Sequence, residues 1–433
     1  MPQQLQLRSL KSTFPLMRKT EDSGVTPAES FRKEQIMYIK IPEYVCVLMQ
    51  CLEAAGEESY IVGGGLRDTL LGKEPNDYDL ATSATPQRMI GIFSKYQTIT
   101  SGIKHGTITV INDHKPVEIT AFRVDGDYSD SRHPDKVRFT RSIEEDLARR
   151  DFTVNAMAYN PERGLIDIFG GQDDIEKKII RAVREPEIRF SEDALRILRA
   201  FRFSSRLEFE IEEQTLAAAG KCRAGLKNIA GERINSEFIK TLCSPDPARV
   251  LKQMKRLGVL EYILGEYKPS DRIIDLLPKM PVADAARLGF LLSGCEDNQL
   301  ITDILISLKC SNSLKKNTLA VAKNLHLGID SQKDVSVLCA KTGDENARYV
   351  VAASVLLGIS DESVMGYVEK NYAPRTIGDL KIGGGDLIEL GLSGRDIGNM
   401  LQYLFEKCID DPKFNERESL IAAAKEKIGR DGE

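Results

Sequence analysis

Ile61-Val62-Gly63-Gly64-Gly65-Leu66-Arg67-Asp68, followed nine residues later by Asp77-Tyr78-Asp79, decides how this chain is read. The glycines fall between a short apolar run, Tyr60–Val62, that reads as a strand and a helical stretch at Leu66–Leu71. Glycine at such a junction lets backbone N–H groups approach an anion, and the helix N-terminus favours negative charge. Gly64 and Arg67 are therefore candidate phosphate contacts, the guanidinium lying one turn into the helix. Taken alone, the same residues describe an ordinary strand-to-helix turn. They lack both the Gly-Lys-Ser/Thr of a P-loop and the spacing of a dinucleotide fold.

The acids narrow the choice. Residues i and i+2 of a strand point to one side, so Asp77 and Asp79 face a common space while Leu80 anchors the strand. Two like charges so close repel unless a cation lies between them. Mg²⁺ suits the pair, because it takes few carboxylates and completes its shell with water and phosphate oxygens. Such ions activate an attacking hydroxyl and stabilise a leaving pyrophosphate. Glu118, inside Val117-Glu118-Ile119-Thr120, is either a third carboxylate, as metal ligand or base, or an exposed position on an edge strand.

Further apolar runs at Tyr78–Ala81, Thr107–Ile111 and Val117–Phe122 read as strands, with helices at Pro42–Ala55 and Pro86–Phe93. This mixed unit ends near Gly171, and the remainder reads as helices. Amphipathic segments at Glu192–Leu207, Glu212–Ala219, Arg233–Leu242, Ala248–Leu257 and Asp284–Leu292 are separated by Pro or Gly turns. The expected fold class is α+β: an N-terminal mixed-sheet head followed by an all-α neck, body and tail. The divisions expected are a flexible extension at 1–36, the head at 37–170, the neck at 171–245, the body at 246–360 and the tail at 361–433. Arg8, Lys11, Arg18 and Lys19 without an acidic neighbour give the extension some likeness to a transit peptide, beside its plainer reading as a floppy leader.

Composition sets the outer limits. The 433 residues are 42% hydrophobic and 29% charged, which suits a folded soluble protein of more than one compact unit. No apolar run approaches the roughly 18 residues of a membrane-spanning helix. Sixty Lys and Arg against 65 Asp and Glu leave a net charge of −5, so a nucleic-acid partner has to meet a local basic surface. The absence of Trp argues against broad base-stacking platforms. Eight scattered cysteines form no Cys-x-x-Cys pair, and the four histidines have no metal-ligand spacing. Reduced thiols in a cytoplasmic protein fit better than zinc or disulfides.

Four more stretches extend the first: Lys104-His105-Gly106-Thr107, Asp125-Gly126-Asp127-Tyr128, Arg149-Arg150-Asp151-Phe152-Thr153-Val154-Asn155-Ala156 and Glu192-Asp193-Ala194-Leu195-Arg196. With the glycine loop and the Asp pair, they resemble the bacterial class II tRNA nucleotidyltransferases, or CCA-adding enzymes, within the superfamily that includes DNA polymerase β. Gly385-Asp386-Leu387 through Gly398 resembles that family's tail. The resemblance implies a nucleotidyltransferase head and template-independent addition of CMP, CMP and AMP to a tRNA 3′ end. It implies Mg²⁺ on Asp77 and Asp79, CTP, ATP and the tRNA acceptor stem as partners, and neither DNA nor a membrane. Arg150 is implied as a ribose or triphosphate contact, with Asp151 and Asn155 beside it, one helical turn apart.

The Glu192-Asp193 segment is expected to open a helix with Ser191 as N-cap, so that Asp193 and Arg196 share a face and Glu192 steadies Arg196. An acceptor beside a donor matches cytosine and adenine, whereas uracil and guanine turn a carbonyl oxygen toward the carboxylate. In the family this motif serves as an amino-acid template. Arg199 and Arg202 resemble its triphosphate and base contacts. Two departures bear on relatives. Poly(A) polymerases usually carry a Gly-Arg-Arg-Phe-type segment where this chain has Gly102-Ile103-Lys104-His105-Gly106. Their basic tail is also missing, since Leu392–Glu433 holds seven Lys and Arg against nine Asp and Glu. Only His326 follows residue 133, so a histidine-aspartate phosphohydrolase activity is not expected. The stretch Asp125–Pro134 resembles the mobile loop of full CCA-adders, which favours CCA addition over A-only addition.

Overall fold

The computed structural model describes residues 39–125, 137–325, 328–369, 374 and 376–431. The extension at 1–36 lies outside these residues, as does the loop expected at Asp125–Pro134 beyond Asp125 itself.

Val45, Leu48, Met49 and Leu52 recur at helical spacing, and they form the buried stripe of α1 (Glu43–Ala54). Gly56, at φ +80°, turns the chain into the sheet. Its strands are β1 (Ser59–Val62), β2 (Asp79–Thr82), β3 (Gln97–Ile99), β4 (Thr107–Asn112) and β5 (Lys115–Ala121). A short hairpin of β6 (Arg123–Asp125) and β7 (Val137–Phe139) stands apart, and β8 (Ala158–Asn160) with β9 (Gly164–Ile166) completes the main sheet. The order is β3-β4-β5-β2-β1-β8-β9, antiparallel except where β2 runs parallel to β5. The helices between are α2 (Gly63–Leu70), α3 (Pro86–Ile92) and α4 (Ile143–Ala148).

The two sheet faces differ in covering. Ile61, Leu80, Ile108, Val117 and Ile119 point into the main core with α1 and α3. Tyr60, Val62 and Ala81 point the other way, under Ile143 and Leu147 of α4. Asp79, Glu118 and Thr109 share that second face by register, so the uncovered part of the sheet is polar.

After the sheet come α5 (Gly171–Glu176), α6 (Pro186–Glu192), α7 (Leu195–Leu207), α8 (Glu213–Cys222), α9 (Gly231–Leu242) and α10 (Pro247–Arg256). The helical reading needs two corrections here. A parallel pair, β10 (Ile179–Ile180) and β11 (Glu210–Ile211), interrupts the helices; two residues are too few to show alternation in a sequence. The helix expected from Glu192 is two helices. Pro186 starts α6 early, at a position that needs no N–H donor. Asp193 then leaves helical geometry at φ −146°, ψ 102°. Ser191 caps nothing, and its hydroxyl donates to the carbonyl of Ile188 at 2.8 Å.

The apolar core runs without interruption from Ile39 to Val368 through sheet, α7 and the later helices. Residues 380–424 bury a core of their own around Leu387, Leu404 and Leu420. Among the described residues no helix is long and apolar enough to cross a membrane. All eight cysteines are free thiols.

Candidate active site

β1 runs directly into α2, with Gly63 at φ +69° making the turn. At Gly65 an added Cβ would lie 2.7 Å from the Asp77 carbonyl oxygen, so only glycine lets α2 rest on the segment leading into β2. That contact seats the acids beside the glycine turn. β2 begins only at Asp79, so Asp77 precedes the strand rather than lying in it. The alternation still holds across buried Tyr78, with Asp77 exposed and Asp79 half-buried on either side. Glu118 is the cross-strand partner of Asp79. It is exposed, and it stands on an inner strand between β4 and β2 rather than on an edge.

Burial pushes the Asp79 carboxyl up to about 6, helped by the charges of Asp77 and Glu118 and opposed by Arg150. A half-buried acid crowded by two others is a site that a cation relieves. Among the described residues no group of three or more His, Cys, Asp or Glu side chains is arranged to hold a metal by itself. Asp77 and Asp79 therefore fit an ion that takes the rest of its oxygens from water or substrate, as Mg²⁺ does.

α4 brings up the arginine pair. Ser142 caps it, accepting from the Glu145 N–H. Asp146, 1% exposed, accepts from Arg149 at 2.8 Å and from Arg150 at 3.0 Å. Against the upward push of burial, Arg150 and Arg149 hold its carboxyl below the usual range. Asp151 is buried too, yet Arg199 at 2.6 Å, with Arg196 and Asn155, keeps it ionised down to about 2. Asn155 lies in a 3-10 turn, Thr153–Asn155, instead of an α-helix. It reaches Asp151 all the same, donating to Oδ1 at 3.4 Å.

Arg67 differs from the phosphate contact expected of it. It is 2% exposed and its guanidinium is committed, to Asp68 Oδ1 at 2.6 and 2.8 Å and to Asn155 Oδ1 at 2.7 Å. It braces the floor of the site. Phe203 gathers Arg67, Arg199 and Arg202 around its ring, at 5.4, 5.2 and 4.1 Å from the centroid. Arg202 is also buried, paired with Glu237.

The pieces converge on one cavity of about 490 Å³. Every residue singled out from the sequence lines it except Glu118, out on the sheet face, and Glu192, which sits behind Arg196 and accepts from it at 2.5 Å. Asp193 faces the cavity from the break between α6 and α7. Eight arginines and four aspartates line the space, with Asp68, Asp146, Glu192 and Glu237 paired to the arginines from behind, so charge is concentrated here in a chain of net charge −5. A pocket so polar suits a polyanion rather than an apolar ligand.

Sequence reading missed Asp68, Asp146, Arg233 and Glu237. The spacing of Asp146 to Arg149 and Arg150 was visible as i,i+3 and i,i+4 pairs. Asp68 pairs with its neighbour Arg67, while Arg233 and Glu237 act across the fold and left no local sign.

The Asp151–Arg199 pair carries a stability prediction. Asp151→Asn keeps the shape but leaves the Arg199 guanidinium with only Glu237, at 3.7 Å, so unfolding in urea at pH 7 should lose about 2–3 kcal/mol, less than a fully buried broken pair because Arg199 is one-third exposed. The folded carboxyl titrates below its unfolded value of 3.8. Its contribution is thus present above pH 3.8 and fades as pH falls toward 2, and the parent–variant difference should shrink over that window.

The family model described as the Poly A polymerase head domain matches residues 59–181, and that of a probable RNA and SrmB-binding site of polymerase A matches residues 208–270. A CCA-adding enzyme of Pediococcus pentosaceus is 37% identical over 383 residues, covering 87% of this chain and 96% of its own. One of Ligilactobacillus salivarius is 35% identical over 87% of this chain and 95% of its own. The crystal structure of the Bacillus stearothermophilus CCA-adding enzyme in complex with CTP superposes with a TM-score of 0.77 at 30% identity, over 90% of this chain and 98% of that one. A Thermotoga maritima CCA-adding enzyme complexed with tRNA shares the fold at a TM-score of 0.65 and 22% identity, over 90% and 97% of the two chains.

Proposed function

The chain belongs to the family of CCA-adding enzymes, tRNA nucleotidyltransferases, and from that premise we propose that it adds CMP, CMP and AMP in turn to a tRNA 3′ end without a nucleic-acid template. The observation that carries this reading is the single cavity joining the Asp77 and Asp79 carboxylates to Asp193 and Arg196. Chemistry at one end and base choice at the other are the two things a template-independent polymerase has to hold together.

In this reading the triphosphate enters the arginine-lined space. The first-turn N–H groups of α2, which have no side-chain cap, face it at Gly64, and Arg150 and Arg199 meet its charge. Asp193 accepts from the exocyclic amine of cytosine or adenine, and Arg196 donates to the ring nitrogen or the cytosine carbonyl. The tRNA 3′ hydroxyl then lies over the polar sheet face, and Glu118, as base or as a further metal ligand, assists loss of its proton as it attacks the α-phosphate and pyrophosphate leaves. Mg²⁺ held by Asp77 and Asp79 would supply charge stabilisation at the attacking and leaving oxygens. The helical body and tail, at 246–360 and 361–433, are assigned to the tRNA acceptor stem and elbow, read by shape and phosphates. The cytoplasm is the compartment this reading assigns.

The test offers three tRNAs, ending before CCA, after C and after CC, with labelled CTP, ATP and Mg²⁺. All three should be extended stepwise to CCA, and Asp77→Ala should abolish every step. Extension of the CC-ended tRNA alone would make the protein an A-adding enzyme. Long A tracts on unrelated RNA would make it a poly(A) polymerase.

A further inference from the structure

Asp193 stands between two helices in extended geometry, and its carbonyl accepts from the Arg196 N–H at 3.0 Å. Its carboxylate is fixed by other groups. Oδ1 accepts from the Leu195 N–H at 3.0 Å. The guanidinium of Arg233 meets both oxygens as a fork, Nη2 to Oδ2 at 2.7 Å and Nη1 to Oδ1 at 3.4 Å. Arg233 lies in the first turn of α9, three-quarters buried, and lines the same cavity. Gly231 sets the start of that helix: an added Cβ would fall 2.0 Å from the carbonyl oxygen of Ser307. Four residues beyond Arg233, on the same helix face, Glu237 pairs with Arg202 and reaches Arg199 at 3.7 Å. One face of α9 thus holds Asp193 at the start of α7 and the basic stripe farther along it.

We propose that Arg233 is a specificity-determining positioning residue, which locks the Asp193 carboxylate so that it rejects bases presenting a carbonyl oxygen. The inference rests on the reading of Asp193 as the base-selecting acid. Discrimination of this kind needs a mismatch that cannot relax. A carboxylate free to rotate would swing away from the uracil or guanine carbonyl, or admit a water between them, and the penalty would shrink. A carboxylate clamped at both oxygens keeps its outward lone pair in place, where it welcomes an amine and repels a carbonyl. Arg233 therefore contributes more to exclusion of the wrong base than to acceptance of the right one.

The experiment measures kcat/KM for single additions of CTP and UTP to a tRNA lacking CCA, and of ATP and GTP to a tRNA ending in CC. It compares the parent with Arg233→Met, Arg233→Lys and Asp193→Ala, each with its thermal unfolding recorded. In Arg233→Met the CTP/UTP and ATP/GTP ratios should fall about 10- to 100-fold, the size of one lost charged contact. Arg233→Lys, which keeps the charge and loses the fork, should recover part of the ratio. If Arg233→Met unfolds early, Arg233→Lys carries the test, and its ratio must then lie below the parent's. Parent-like ratios in the folded Arg233 variants, together with collapsed ratios in Asp193→Ala, overturn the proposal and leave the role of Asp193 standing. Parent-like ratios in Asp193→Ala as well would show that base choice lies elsewhere, and both readings fall.

Discussion

Asp79→Asn is expected to lower nucleotide addition by at least about 10³-fold, measured as single-turnover extension of a CC-ended tRNA with ATP and Mg²⁺. Loss of one fixed electrostatic contact to a developing charge costs 10²–10³ on its own. In the proposed reading Asp79 does more than make one contact, because it would hold the cation at the head of β2, where it opposes Glu118 across the sheet. The substitution keeps size and shape, so nucleotide binding should change far less than turnover. Stability should move the other way. The folded Asp79 carboxyl titrates near 6, above its ordinary 3.8. A raised folded value means that its contribution to stability is intact below pH 3.8 and is lost as pH rises through 6. Without added metal, Asp79→Asn should match the parent near pH 4 and exceed it by about 1–3 kcal/mol at pH 8. Mg²⁺ should raise the melting temperature of the parent at pH 8 and leave that of the variant unchanged. Parent-like turnover in Asp79→Asn would remove the acid from the reaction. An active site less stable than its own inert variant is the usual sign of charge held in place for function.

The parts of this molecule legible in the sequence are those whose cause is local. The strand–glycine–helix turn, the alternation through Tyr78 and the amphipathic stripe of α1 each depend on residues a few positions apart. They predicted the mixed head and the two acids beside the glycine turn, whereas Arg150, Asp151 and Asn155 were expected from the family resemblance and not from any local pattern. Arg67 shows where local reasoning stops. Its place one turn into α2 was right, but Asn155, 88 residues away, and the Phe203 ring decide that it is buried and committed. Asp193 shows a second limit. The spacing of Glu192 to Arg196 reads as one helical turn, and the two side chains do meet at 2.5 Å. Yet the chain between them is broken, because α6 begins at Pro186 and Asp193 turns its carboxylate onto the N–H of Leu195. Arg233 and Glu237 lie beyond sequence reading altogether, since an Arg and a Glu at i,i+4 on an amphipathic helix describe any solvated helix face until a second helix is set against it.

Arg196→Lys should be the most damaging conservative change in the base-reading half of the site, lowering kcat/KM for CTP and ATP together by about 10²-fold. Arg196 is 9% exposed, and three acceptors from two segments hold its guanidinium. Nη1 donates to Glu192 Oε2 at 2.5 Å and to the Arg189 carbonyl at 3.1 Å, both on α6, and Nη2 donates to the Arg149 carbonyl at 3.2 Å, at the end of α4. The group that would read the base is thus also a tie between head and neck. An ammonium is a single point and cannot span the α6 carboxylate and the α4 carbonyl while presenting a donor to a base. Both nucleotides should suffer alike, because the contact precedes any choice between them. Glu192→Gln tests the same tie from behind: it keeps an acceptor for Nη1, weakens it by the loss of charge, and should cost only about tenfold. If Arg196→Lys kept parent kcat/KM while Asp193→Ala lost it, base recognition would rest on the carboxylate alone, and the guanidinium would be a structural clamp.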